Sequence, residues 1–314
     1  MAALKGKALG AYLVICVVWG STYLAIKIGV GDLPPFLMAG IRFLIAGIIL
    51  LVVARMRKDL MPRRASDWRT LAIVGLCLLA GGNTAVIWGE QFTASGVASI
   101  FVVTCPLWMA FFDAVIPGGT GYLNRRVVTG LILGFIGTLL LIGATPAEIL
   151  ATDKRGPIAF IISSATWAFG SVYSKRHPTE VGPYMWSALQ LLLAGVVVGI
   201  FGLAVGEWNS LHFTATGIAV IAYLAIFGSV ISYSAYMYAL RHAPTAIVGT
   251  YAYVNPVIAI LLGWLLLSEP IALRTVIAMV LILGSVIWLQ FSPKPRPTLL
   301  TKNDTQPEIS SEVT

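Results

Sequence analysis

Long apolar stretches separated by short polar breaks organise this chain. Ten runs stand out, at 8–29, 35–54, 70–89, 95–116, 124–144, 156–175, 183–205, 214–238, 245–267 and 272–291. Each is close to the ~20 apolar residues that an α-helix needs to cross a bilayer core. They are too long, and too poor in alternating polar positions, for membrane strands. The breaks carry turn chemistry: Pro34-Pro35, Pro117-Gly118-Gly119, Gly182-Pro183 and Glu269-Pro270. The pattern predicts an all-α integral membrane protein of ten transmembrane helices. From Ser292 the composition shifts to Pro, Thr, Ser and charge, and residues 292–314 read as a disordered tail.

The runs also repeat. Residues 11–50 align without a gap on 159–198 at an offset of 148, placing Trp19 on Trp167, Lys27 on Lys175, Pro35 on Pro183 and Ala46-Gly47 on Ala194-Gly195. Seven of the 40 positions are identical, so the shared spacing carries the match more than any single residue. At an offset of 150, Pro106 falls on Pro256, and Leu131-Ile132-Leu133-Gly134 recurs at 281–284. Two repeats follow, 8–145 and 156–291, with five helices each. Five is odd, so the second repeat enters the membrane from the other side and the repeats are inverted, an arrangement common in secondary transporters.

Composition agrees with a lipid solvent: 58% of residues are hydrophobic and 11% charged, against about 25% charged in soluble domains. The net charge of +8 does not point to nucleic acid, because the bases sit in short clusters between apolar runs. Their placement gives orientation. Sixteen Lys and Arg fall on the side that holds both termini and the even-numbered loops, and four on the other. By the positive-inside rule both termini are cytoplasmic, in the inner (plasma) membrane. Lys5 and Lys7 before an apolar run resemble a signal peptide, but no small-x-small cleavage site follows and the run recurs at 156–176. Cys16, Cys77 and Cys105 lie inside apolar runs as small packing residues. There is no Walker A sequence, cofactor motif or metal-ligand spacing, and His177, His212 and His242 are scattered at helix ends, so neither catalysis, a cofactor nor a metal is expected.

Polar and aromatic residues inside the runs carry the candidate chemistry. Asn83 sits mid-run, Asn255 precedes Pro256, and Pro106 is the repeat partner of that proline. Prolines free a backbone carbonyl, so Pro106 and Pro256 read as paired helix breaks near a central site, or as kinks repaired by a neighbouring helix. Trp19 and Trp167 are repeat-related and could meet across the pseudo-axis, lining a cavity or packing within the bundle. Tyr23, Trp108, Tyr236 and Tyr251 join them as cavity candidates. An aromatic cavity without fixed charge would suit amphipathic or aromatic solutes, cations included. Arg42 reads either as a gate or substrate counter-charge, or as a side chain snorkelling to the interface beside Glu90 or Asp32. Asp113 is expected to pair with Arg125 or Arg126. Gly130 and Gly134 have the spacing of a close helix contact.

With these residues in view, the sequence resembles the EamA-type branch of the drug/metabolite transporter superfamily. The resemblance rests on Val18-Trp19-Gly20-Ser21-Thr22-Tyr23, Pro34-Pro35 with Ala39-Gly40-Ile41-Arg42-Phe43, Trp167-Ala168-Phe169-Gly170-Ser171-Val172-Tyr173, and Tyr251-Ala252-Tyr253-Val254-Asn255-Pro256, and spans roughly residues 8–291. It implies a cavity bounded by the first, third, fourth, sixth, eighth and ninth helices. Trp19, Tyr23, Asn83, Trp108, Trp167, Tyr236, Tyr251 and Asn255 are on those helices. It also implies an acid after the fourth and ninth helices; Glu269-Pro270 fits and Gly119-Thr120 does not. The expected function is alternating-access export of a small amphipathic metabolite, amino acid or drug, with the bilayer as the other partner. An importer of the same fold and a membrane enzyme acting on a lipid-linked substrate are the alternatives. A monomer and a homodimer both fit.

Overall fold

Apolar length alone drives most of the architecture. The computed structural model describes residues 4–92, 101–116, 124–142, 153–267 and 272–291. Among them every regular element is helical. The ten helices are α1 (Lys7–Asp32), α2 (Pro35–Met56), α3 (Ala65–Gly89), α4 (Cys105–Val115), α5 (Arg125–Ile142), α6 (Arg155–Arg176), α7 (Pro183–Ala204), α8 (Ala215–His242), α9 (Thr245–Gly249 and, after Thr250, Tyr251–Leu267) and α10 (Leu273–Gln290). Five of them, α1, α2, α3, α7 and α8, are long and apolar enough to cross a membrane by those criteria alone. Leu24, Ile48, Ile200 and Val280 are more than half exposed, an apolar exterior suited to lipid. Glu269-Pro270, Gly119-Thr120, the Pro117-Gly118-Gly119 turn and the 292–314 tail lie outside the described residues.

Contacts between helix ends define two faces. On one, Lys27 Nζ donates to the Glu90 carbonyl (2.7 Å), Thr214 Oγ1 donates to Asp32 (2.7 Å), and the Arg155 guanidinium lies 4.1 Å from the Phe92 ring centroid. On the other, Lys175 Nζ donates to the Leu240 carbonyl (2.6 Å) and Trp288 Nε1 to the Arg126 carbonyl (3.2 Å). The second face also receives the start of α1 and the end of α10, and we call it the terminal face. Asp113 is on it, paired with Arg176 at 3.3 Å. The expected partners Arg125 and Arg126 give way because the ends of α4 and α6 converge there, and Arg176 also donates to the Asp113 and Ile116 carbonyls.

The two repeats interlock most closely along α2 and α7, which pack antiparallel. A Cβ on Gly47 would stand 2.8 Å from Leu192, and one on Gly195 would stand 2.9 Å from Leu44. Both pairs are related by the offset of 148, so one crossing is built twice. The ends of this seam are capped reciprocally. Asp59, just beyond α2, accepts from the Tyr184 and Met185 amides at the start of α7 (2.8 and 3.1 Å). Glu207, just beyond α7, accepts from the Phe36 and Leu37 amides at the start of α2 (3.2 and 2.7 Å). Each acid follows a residue with positive φ, Lys58 at 55° and Gly206 at 85°, which turns the chain back toward the partner helix. Exposed amides at a helix start favour an acidic acceptor. Burial pushes the Glu207 carboxyl above its ordinary value, against the pull of the Leu37 and Phe36 amides. Elsewhere, Gly130 and Gly134 do make a close helix contact, against Leu289 and Ser285 of α10.

Candidate functional site

Two helices lose their regular winding at matching places. Leu76–Asn83 in α3 and Leu224–Ile231 in α8 are wound wide, with i→i+5 hydrogen bonds, and the two segments are offset by 148. Small residues occupy both, Gly81-Gly82 in one and Gly228-Ser229 in the other. Each turn lies against a tryptophan of the opposite repeat. Trp19 Nε1 donates to the Gly228 carbonyl at 3.0 Å, and Ser163 Oγ, one helical turn from Trp167, donates to the Gly82 carbonyl at 2.7 Å.

Between the wide turns is a partly open cavity of about 60 Å³. Its lining includes Trp19, Tyr23, Asn83, Trp167, Tyr251 and Asn255, all expected from the sequence. Thr22, Cys105, Ser163 and Ser164 also line it and were not expected. Seen along the helices, most of these residues occupy the half of the bundle away from the terminal face, while Tyr251 and Asn255 reach past its middle. An aromatic layer closes the deep end. The Trp19 and Trp167 rings meet edge-on with centroids 5.4 Å apart, and Tyr251 abuts Trp19 at 4.9 Å. Such edge-to-face contacts each contribute about 0.5–1.5 kcal/mol beyond area burial.

Three expectations need correction. Tyr236 is wholly buried under that layer and does not line the cavity; its hydroxyl accepts from Trp167 Nε1 (2.8 Å) and is bonded to Ser171 Oγ (2.6 Å). Trp108 is on another side of α4, stacked on Phe112 at 6.0 Å and edge-on to Phe111 at 6.1 Å, while Cys105 of the same helix faces the cavity. The prolines do not break their helices alike. Pro106 opens α4, directly after a turn at 103–104, whereas the α9 segment Tyr251–Leu267 runs unbroken through Pro256. The discontinuity in α9 comes earlier, at Thr250, whose hydroxyl is held by Tyr12 (2.8 Å) and the Ile247 carbonyl (2.6 Å).

Asn255 links the repeats: with its Nδ2 turned toward α1 it donates to the Cys16 carbonyl (3.1 Å) and to the Tyr251 carbonyl (3.0 Å). Arg42 lines the cavity and so gives it the fixed charge that the aromatic reading left out; of its two readings, the snorkelling one does not hold. It is 2% exposed and does not reach Glu90 or Asp32. Its Nε donates to Ser229 Oγ (2.9 Å) and its Nη1 to Asn83 Oδ1 (3.3 Å), so the guanidinium clasps both wide turns. An arginine at membrane depth costs ~2.5–3.5 kcal/mol on insertion scales, and neutral partners offset only part of that. Its repeat partner at the offset of 148 is Gln190, wholly buried, whose Oε1 accepts from the Tyr233 hydroxyl.

Comparison with known proteins agrees with this architecture. The model of the EamA-like transporter family matches the chain twice, over residues 6–143 and 154–291. The chain is 40% identical over 256 residues to the "Uncharacterized inner membrane transporter YedA" of Escherichia coli (strain K12), covering 81% of each protein. It is 27% identical over 278 residues to the "Uncharacterized transporter YvbV" of Bacillus subtilis (strain 168), covering 88% of each. A solved crystal structure shares the fold, with a TM-score of 0.72 at 21% identity over 91% of this chain and 98% of that one.

Proposed function

The chain belongs to the EamA-like transporter family, and from that premise we propose that it exports a small amphipathic solute (a metabolite, amino acid or drug) across the inner membrane by alternating access. One observation carries the reading: the cavity is walled by both repeats and is closed at its deep end by Trp19 and Trp167, which the repeat relates. Rocking one repeat against the other would part that aromatic layer and close the wall opposite. Bound solute shifts the equilibrium only through contacts that differ between the two states. The excess of Lys and Arg on the terminal face supports cytoplasmic termini, and in that orientation the cavity lies nearer the outside.

A metabolomic comparison of medium and cytosol, with and without overexpression, reads substrate and direction together. Accumulation of a solute in the medium is expected; selective depletion from the medium would overturn export. Trp19→Ala and Trp167→Ala should each cut transport in proteoliposomes by about tenfold, the equivalent of ~1.4 kcal/mol of lost contact, while the protein still reaches the membrane. Full transport by both variants would remove the aromatic layer from the mechanism.

A further inference from the structure

The charge inside the cavity narrows the kind of solute it can hold. Among the described residues Arg42 is the one charged side chain in the lining, and no carboxylate pairs with it. Glu90 is buried at the end of α3, where its backbone meets Lys27; its carboxylate accepts no hydrogen bond among the described residues and lies behind Tyr23, outside the lining. An arginine stays protonated at any physiological pH, so the cavity keeps its positive charge.

The guanidinium is also only half used. Nε and one Nη1 hydrogen go to Ser229 and Asn83. Nη2 lies beside Gly228, 3.1 Å from where a Cβ would stand, and donates to no protein group among the described residues. The Nη1–Nη2 edge therefore keeps donors in the planar fork that matches a carboxylate. The Gly228 carbonyl takes the Trp19 indole N–H, so the free edge and the aromatic layer meet at the same wide turn of α8.

We infer that the cavity binds a small organic anion, its carboxylate on the Nη edge of Arg42 and its apolar body against Trp19 and Trp167. This rests on the transport reading and deepens it by naming a substrate class. A cation of the same shape meets like charge, and a neutral amide forgoes the charge-assisted bonds. Among the described residues the lining carries no acid for an ammonium group, which favours plain carboxylates over zwitterions.

The test uses matched probes: aromatic, branched and linear bodies, each as carboxylate, primary amide and primary amine, titrated calorimetrically into the full-length protein in detergent. For at least one body the carboxylate should bind about tenfold tighter than the amide, one charge-assisted contact in Kd, with the amine weaker again. Arg42→Gln should bring the carboxylate down to the amide's affinity, and Arg42→Lys should keep part of the preference. If Arg42→Gln does not fold, the order among head groups in the unaltered protein still decides. Amines binding as tightly as their carboxylates, no carboxylate binding at all, or an undiminished preference in a folded Arg42→Gln would each overturn the inference. Flux in proteoliposomes separates the two readings. Tight amine binding with amine flux leaves transport standing and removes the anion site. Carboxylate binding at Arg42 with no flux under either gradient leaves the site standing and removes transport.

Discussion

Arg42 and Gln190 occupy one position twice, seven residues into α2 and seven into α7 by the offset of 148. Their surroundings match in outline. Each projects from the α2–α7 seam toward α8, one onto Ser229 and the other to Tyr233. They differ in charge and in access. Arg42 reaches open space lined by polar groups, whereas Gln190 is fully enclosed and its Nε2 finds no acceptor among the described residues. An orphaned buried amide costs ~1–3 kcal/mol. Inverted repeats that exchange conformations would close the space that Arg42 lines and bring Gln190 to a cavity on the terminal face. A solute anion would then leave a charge-assisted contact for a neutral amide, which is weaker. A fold that is symmetric in backbone can in this way bind on one side and release on the other.

Exchanging the two residues should break this comparison most severely. Gln190→Arg drives a cation into an enclosed site beside Tyr233, at ~2.5–3.5 kcal/mol on insertion scales, so membrane yield and thermal midpoint should both fall. Arg42→Gln makes the repeats alike and should leave yield near normal while transport drops about tenfold or more. The double exchange should not restore transport, because the open cavity is built around position 42. Normal yield and transport for Gln190→Arg, measured by membrane fractionation and proteoliposome flux, would mean that the Gln190 site opens readily and that the asymmetry has been misassigned.

Much of this was legible in the sequence because the repeat constrains it. Run lengths located the helices, and the offset paired Trp19 with Trp167 before any coordinate did. What escaped depends on how each helix is rotated by its neighbours. Cys105 and Trp108 differ by less than one turn of α4, and packing decides which faces the cavity: Met109 is drawn toward α9 where Gly249 leaves room. The wide turns have no periodic signature, since they arise where small residues let tryptophans of the other repeat press close. For the same reason the sequence left Arg42 between two readings. The cost of burying it was readable, but its neutral partners Asn83 and Ser229 reach it only because those turns bring them there. The offset applied to Arg42 would have found Gln190, and applied to Asp59 would have found Glu207.

Where the repeats do match, paired mutations should have paired effects. A β-branched side chain at Gly47 or Gly195 must displace Leu192 or Leu44 from a gap of under 3 Å to the nearest heavy atom. Gly47→Val and Gly195→Val should each cost about 1–3 kcal/mol of stability, as overpacking does, and by similar amounts. Unequal costs in thermal or denaturant unfolding would show that the seam is less symmetric in energy than in geometry, and that one repeat bears most of the strain when the pair moves.

The smallest effects belong to the reciprocal caps. Asp59→Ala and Glu207→Ala each remove an acceptor for two helix-start amides, and should each lower stability by about 1 kcal/mol. The acids are not equivalent under pH. Burial holds the Glu207 carboxyl above its ordinary value, so its neutral form is the one the fold prefers. That contribution is fully present below the value Glu207 has in the unfolded chain and is lost as pH rises through the folded value. Glu207→Gln keeps an acceptor and cannot ionise, so near neutral pH it should equal or exceed the unaltered protein in thermal midpoint, with a flatter dependence across the acidic range. A fall in midpoint for Glu207→Gln at neutral pH would show instead that the ionised carboxylate is the working cap. Helix-start electrostatics would then outweigh burial at this end of the seam, and both caps would act as charges that hold α2 and α7 together from opposite faces.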